Sequence, residues 1–95
     1  MRIISTRALR VFAIKHPQAE APLQAWRKVI ERNRYANWAA LKATFGAVDN
    51  AGGLAIFNIG GNKFRLIAHL SFESQILYIK AVLTHQEYDR GGWKS

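Results

Sequence analysis

Residues 54–84 read LAIFNI, GGN, KFRLIAHLSF, ES and QILYIKAVLT, and this stretch decides the fold. Its hydrophobic period is two, not 3.6, and its breaks fall on turn-forming residues. That pattern predicts three consecutive antiparallel strands at residues 54–59, 63–72 and 75–84. Register follows too, because a slip of one residue sends every side chain to the other face. A two-residue turn at Glu73-Ser74 sets Phe72 opposite Gln75. It then pairs Leu70 with Leu77, Ala68 with Ile79, Leu66 with Ala81 and Phe64 with Leu83, all apolar. An even-length turn around Gly60-Gly61-Asn62 adds Ala55, Phe57 and Ile59 to the same face. A three-residue loop would instead turn Asn58 into it.

The opposite face is then polar. It carries Asn58, Lys63, Arg65, Ile67, His69, Tyr78, Lys80, Val82 and Thr84. Lys63 falls opposite Thr84, so His85, ending the last strand, comes to lie beside Lys63 and Arg65. Two cations and an imidazole at one end of an open sheet face form an anion site. An ordinary solvated sheet face carries the same residue types, so the pattern alone leaves both readings open.

Upstream of the strands the period is helical. Residues 1–4 read as a short strand, after which Ser5 or Thr6 is placed to cap a helix starting near Arg7. Leu9, Phe12 and Ala13 form its inner stripe and Pro17 ends it. A second helix is expected over residues 18–34, with Pro22 in its first turn and Leu23, Trp26 and Ile30 buried. Asn37 caps a third, in which Trp38, Leu41 and Phe45 continue the spacing until Gly46. The fold class is therefore α+β in one domain, residues 1–95, with an N-terminal strand and helices packed on a mostly antiparallel sheet of three to four strands.

Composition narrows the function. The 95 residues are 49% hydrophobic and 21% charged, a globular balance, and no apolar run is long enough to span a bilayer. With no cysteine, a disulfide framework, a thiolate zinc site and a cysteine nucleophile are excluded, and a reducing, cytoplasmic setting is expected. Net charge is +8, and it is lopsided: residues 1–48 hold nine basic and two acidic side chains, residues 49–95 five and four. Such a basic half is what a polyanion-binding surface requires, because each cation set near a phosphate releases condensed counterions. Arg27, Lys28, Arg32 and Arg34 are its candidate contacts, joined by Asn58 and Lys80 from the strands.

Other chemistries find little support. His85, Glu87 and Asp89 match no zinc signature. No serine sits in a nucleophile elbow, and no buried acid is evident to orient His85. Gly60-Gly61 is too short for a phosphate loop and reads as a turn. His16 reads as a helix-end histidine and His69 as a surface histidine beside Tyr78.

Two segments then carry a resemblance. Phe57-Asn58-Ile59-Gly60-Gly61-Asn62-Lys63-Phe64-Arg65-Leu66-Ile67-Ala68 and Thr84-His85-Gln86-Glu87-Tyr88-Asp89 resemble the HigB family of toxin–antitoxin toxins, within the wider RelE/ParE superfamily. The resemblance implies a small RelE-like fold and an RNA endonuclease that cuts mRNA on the translating ribosome. It also implies a helix-turn-helix, HigA-like antitoxin, with operator DNA bound only through the toxin–antitoxin complex. No cofactor or metal is implied, and no membrane. Metal-free RNA cleavage takes the neighbouring 2′-hydroxyl as nucleophile and needs a base, cations for the crowded phosphate and an acid for the 5′ oxygen. His85 titrates in the useful range, Lys63 and Arg65 supply positive charge, and Tyr88 can stack or donate a proton. The resemblance supports Lys63, Arg65, His85 and Tyr88 without fixing their roles. Two alternatives remain open on sequence: a non-catalytic nucleic-acid-binding module, and a gyrase inhibitor of the ParE type.

Overall fold

The computed structural model describes residues 1–94. The chain runs β1 (Arg2–Ile4), α1 (Arg7–Lys15), a 3₁₀ turn (Pro17–Ala19), α2 (Glu20–Arg32), α3 (Trp38–Thr44), β2 (Asp49–Ala51), β3 (Leu54–Ile59), β4 (Phe64–Ser71), β5 (Ile76–Thr84) and α4 (His85–Asp89), with a last 3₁₀ turn at Gly92–Lys94. The strands form one sheet of order β1-β5-β4-β3-β2. Among the described residues only the β1–β5 pair is parallel.

The sheet thus has five strands where three to four were expected. The N-terminal strand lines up beside β5, with Ile3 level with Leu77. The unforeseen strand is β2, whose Asp-Asn-Ala composition gives no strand signal. It exists because Gly52 and Gly53, both at positive φ, turn the chain tightly back into β3.

One face of the sheet carries the helices. Leu9 and Phe12 of α1, Leu23, Trp26 and Ile30 of α2, and Leu41 of α3 pack with Ala55, Phe57, Ile59, Phe64, Leu66, Ala68, Leu77 and Ile79 into one core. Trp26 meets Phe57 edge-on at 5.3 Å between ring centroids. The helices begin otherwise than expected. Thr6 precedes α1 without a side-chain cap, Ser5 takes a positive φ, and the second helix opens as a 3₁₀ turn and stops at Arg32. Asn37 does cap α3, accepting from the Ala40 N–H at 2.9 Å.

The register is as expected near the Glu73-Ser74 turn and differs beyond it. Leu70 pairs with Leu77 and Ala68 with Ile79, but Ile67 then pairs with Ala81, Leu66 with Val82 and Phe64 with Thr84. Lys80 has no partner on β4, so a β-bulge sits there. The sequence-derived pairs Leu66–Ala81 and Phe64–Leu83 are therefore one residue out. Downstream of Lys80 the faces are exchanged: Val82 packs against the helical core, while Ala81 and Leu83 oppose Ile67 and Arg65. On the other edge of β4 the expected face holds: Ala55 pairs with Ala68, Phe57 with Leu66 and Ile59 with Phe64, across a turn of even length.

The second face is also not the open polar surface expected of it. All residues from Phe64 to Ala68 are buried, so both sides of β4 are covered. Ile56 and Ile67 lie opposite one another, 2% and 0% exposed, yet outside the main core cluster. The chain after β5 folds over this side, where Tyr88 covers Arg65.

Candidate functional site

The bulge determines where α4 begins. With Thr84 opposite Phe64, the next pair in the ladder is Lys63 and His85, and the His85 N–H donates to the Lys63 carbonyl at 3.1 Å. His85 is accordingly beside Lys63, as expected, but as the first residue of a helix instead of the last of a strand. The helix starts there because Thr84 and Glu87 form a reciprocal cap. The Thr84 hydroxyl accepts from the Glu87 N–H at 3.2 Å, and the Glu87 carboxylate accepts from the Thr84 N–H at 2.9 Å. The backbone donor at Thr84 holds the Glu87 carboxyl below its ordinary pKa against the opposing effect of burial, with smaller contributions from the Thr84 hydroxyl and nearby positive charge.

Tyr88 follows one turn after His85 and reaches back over β4. Its ring lies under the Arg65 guanidinium, 5.3 Å from carbon to centroid, and stacks on Trp93 at 5.1 Å and 9°. Trp93 Nε1 donates to the Tyr88 carbonyl at 2.9 Å, which pins the two rings together.

Arg65 departs most from expectation. It is 8% exposed, the only buried charged side chain among the described residues. Its Nη1 donates to the carbonyls of Phe64 (3.1 Å) and Asn62 (3.3 Å), and its Nη2 to Asn62 Oδ1 (2.5 Å). The guanidinium therefore grips the 60–63 loop that leads into Lys63. Nε and one Nη2 proton remain outside these bonds.

His85 has a partner that sequence reading missed. Its Nδ1 lies 2.9 Å from Asp89 Oδ2, with the two side chains 43% and 58% exposed. Sequence reading finds no buried acid for His85, and the carboxylate that meets it is a solvated one at i+4. Asn62 was also missed, since nothing in a turn sequence marks its side chain as the acceptor for an arginine three residues on. Among the described residues no group of three His, Asp or Glu gathers as a metal site. Glu87 is committed to the cap and Asp89 to His85.

The remaining candidates do not form one patch. Asn58 is exposed and pairs with Arg65 across the β3–β4 ladder. Lys80 stands exposed at the bulge. Arg27, Lys28 and Arg32 lie on α2, with Arg34 just past its end, on the helical side of the sheet and across it from Arg65. Arg27 is bonded to Glu31 at 3.1 Å. His16 packs its ring on Phe12 at 4.5 Å, and His69 sits opposite Tyr78 as expected. Among the described residues no helix is long and apolar enough to cross a membrane.

Comparison with known proteins gives consistent matches. The family model of the HigB toxin, the RelE-like toxic component of a toxin–antitoxin system, matches residues 19–91. The chain is 40% identical over 92 residues to the mRNA interferase toxin HigB of Escherichia coli strain K12, an alignment covering 94% of this chain and 88% of that protein. The mRNA interferase HigB of Shigella flexneri matches to the same extent. That of Escherichia coli O6:H1 is 27% identical over 93 residues, covering 95% and 90% of the two chains.

Proposed function

Because this chain belongs to the HigB family of RelE-like toxins, we propose that it acts as the family does at one defined place, the junction of β4 and α4. The chain is an mRNA-cleaving toxin of a toxin–antitoxin pair, and an antitoxin is its partner. Our reading adds that it cuts message held on the ribosome, with the RNA 2′-hydroxyl as nucleophile and Lys63, His85, Arg65 and Tyr88 as the working set. The antitoxin is of the HigA-like helix-turn-helix kind, and the complex binds the operator.

The observation that carries this reading is the backbone bond from His85 to Lys63, with Arg65 and Tyr88 stacked beside it. That bond sets the backbones of an imidazole-bearing and an ammonium-bearing residue side by side. In the reaction the 2′-oxygen bonds to phosphorus and the P–O5′ bond breaks. One proton leaves the 2′-hydroxyl and one is delivered to the 5′ oxygen. His85 exchanges one of them, and the exposed Lys63 ammonium meets the charge growing on the phosphate. Arg65, largely buried, holds the loop and the Tyr88 ring in place and offers its remaining N–H groups. Four side chains on a shallow surface are few for positioning a flexible strand, and the ribosome supplies that positioning. The basic residues of α2 and Arg34, across the sheet, are the proposed contacts to ribosomal RNA, and Asn58 and Lys80 contacts to RNA near the site.

In vitro translation followed by primer extension on the mRNA tests the reading. Cuts placed by the ribosome and absent from free RNA are expected. Equal cleavage with and without ribosomes would overturn the ribosome dependence. Binding without cuts would favour a non-catalytic module, and inhibition of supercoiling a gyrase inhibitor.

A further inference from the structure

The side chains of α4 divide by task. Thr84 and Glu87 close the helix start, and Tyr88 packs on Arg65 and Trp93. His85 and Asp89 face one another across one turn at 2.9 Å. This pair has no evident task in holding the helix. A carboxylate at the last residue opposes the helix dipole, as the first-residue ring does whenever it carries a proton, and a base preceding an acid at i,i+4 is the less favourable order. Helix stability is already served by the cap.

We propose that Asp89 is a positioning residue for His85. It accepts the Nδ1–H hydrogen bond, fixes the neutral ring in the Nδ1–H tautomer and leaves the Nε2 lone pair to meet the RNA. This inference rests on the role given to His85 above. Among the described residues Asp89 is the side chain that meets the His85 ring at bonding distance, while the bond from the His85 N–H to Lys63 holds only the backbone. The arrangement serves either direction of proton transfer. As base, Nε2 takes the 2′-hydroxyl proton and the ring becomes imidazolium. As acid, the imidazolium releases its Nε2 proton to the 5′ oxygen as the P–O5′ bond breaks. In both states Nδ1–H stays on Asp89. Lys63 and Arg65 from β4 cannot accept this hydrogen bond, and the Glu87 carboxylate on α4 is engaged with the Thr84 N–H.

The test uses the intact chain and its Asp89→Ala and Asp89→Glu variants. Long-range proton–nitrogen NMR spectra of the imidazoles give the tautomer of His85, assigned by comparison with His85→Ala. The Nδ1–H form is expected in the parent and the Nε2–H form, the one preferred by free imidazole side chains, in Asp89→Ala. In ribosome-dependent cleavage, Asp89→Ala should lower kcat about tenfold to a hundredfold with little change in KM. Asp89→Glu, whose carboxylate also reaches one helical turn back, should recover much of the loss. An unchanged tautomer or an unchanged kcat in Asp89→Ala overturns the inference. If His85→Ala is itself fully active, the role given to His85 fails instead. If His85→Ala is dead and Asp89→Ala is like the parent, only the positioning role fails.

Discussion

Replacing Arg65 with alanine should destabilise the protein before it tells anything about chemistry. The side chain is 8% exposed and makes two bonds to Asn62 and one to the Phe64 carbonyl. A hydrogen bond involving a charged group contributes about 1.5–3 kcal/mol net, and the one at 3.3 Å contributes least. The contact with Tyr88 adds about 0.5–1 kcal/mol. The acceptors on Asn62 are part-buried, so water recovers some of the loss on substitution. The expected cost is about 3 kcal/mol, against a total of about 5–15 kcal/mol for a domain of this size. Thermal melts followed by circular dichroism should show the midpoint falling by about 10–25 °C. Arg65→Lys keeps the charge but cannot fork onto Asn62 and Phe64, and should lose about half as much. If Arg65→Ala melts within about 2 °C of the parent, the guanidinium does not clamp the loop. Any loss of cleavage would then report a direct contact with RNA.

His85→Ala should abolish most cleavage while leaving the melting midpoint nearly unchanged, since its side chain is 43% exposed; a matched loss of fold and activity in thermal and cleavage assays would make it structural. Ile67→Ala should cost about 2–4 kcal/mol in urea unfolding, because Ile67 is fully buried on the face opposite the helices; a cost below about 1 kcal/mol would mean that this face is not packed. Changing Arg27, Lys28, Arg32 and Arg34 to glutamine should weaken ribosome binding and flatten its salt dependence with the fold intact, and an unchanged salt slope in sedimentation binding would remove α2 from the interface. The Glu87 pKa is lowered by the cap, so its contribution is complete above the ordinary carboxylate pKa and is lost as pH falls through the lowered value; amide exchange at residues 84–88 should quicken over that acid range in the parent and show no such step in Glu87→Gln.

Much of this was legible in the chain. The strand run, the even parity of the turn around Glu73-Ser74 and the buried stripes of α1 and α2 each follow from periodicity and turn chemistry, although the turn takes four residues, 72–75, and the ladder closes at Ser71 and Ile76 instead of Phe72 and Gln75. What escaped had no local signal. A bulge leaves no mark when the residues on either side of it are apolar on both faces, as Ala81, Val82 and Leu83 are. Two apolar assignments of that segment look equally good until the partner strand is laid beside it. Arg65 was placed on the right face, but its burial depends on Tyr88 and Trp93, which return to it from more than twenty positions away. The edge strand β2 takes its conformation from the hairpin, not from its own residues. At the site the sequence brings Lys63 and His85 together, while the Asp89 contact with His85 depends on a helix beginning at residue 85, which a strand ending there does not provide.

Lys80 works as a phase shifter. Before it, the odd-numbered positions of β5, Leu77 and Ile79, point into the helical core. After it the even-numbered Val82 does so, and the odd-numbered Leu83 and the helix start at His85 take the side of Arg65. A mutational scan along β5 should therefore change parity at position 80, with tolerance alternating one way before it and the other way after. The same count sets the orientation of everything downstream. Deleting that single residue would straighten the ladder and leave the pairs Ile67–Ala81 and Phe64–Thr84 as they are, whereas keeping it and closing the bulge would turn the first residue of α4 half a revolution, toward the helices and away from the guanidinium. One unpaired lysine thus decides on which side of the sheet the imidazole emerges.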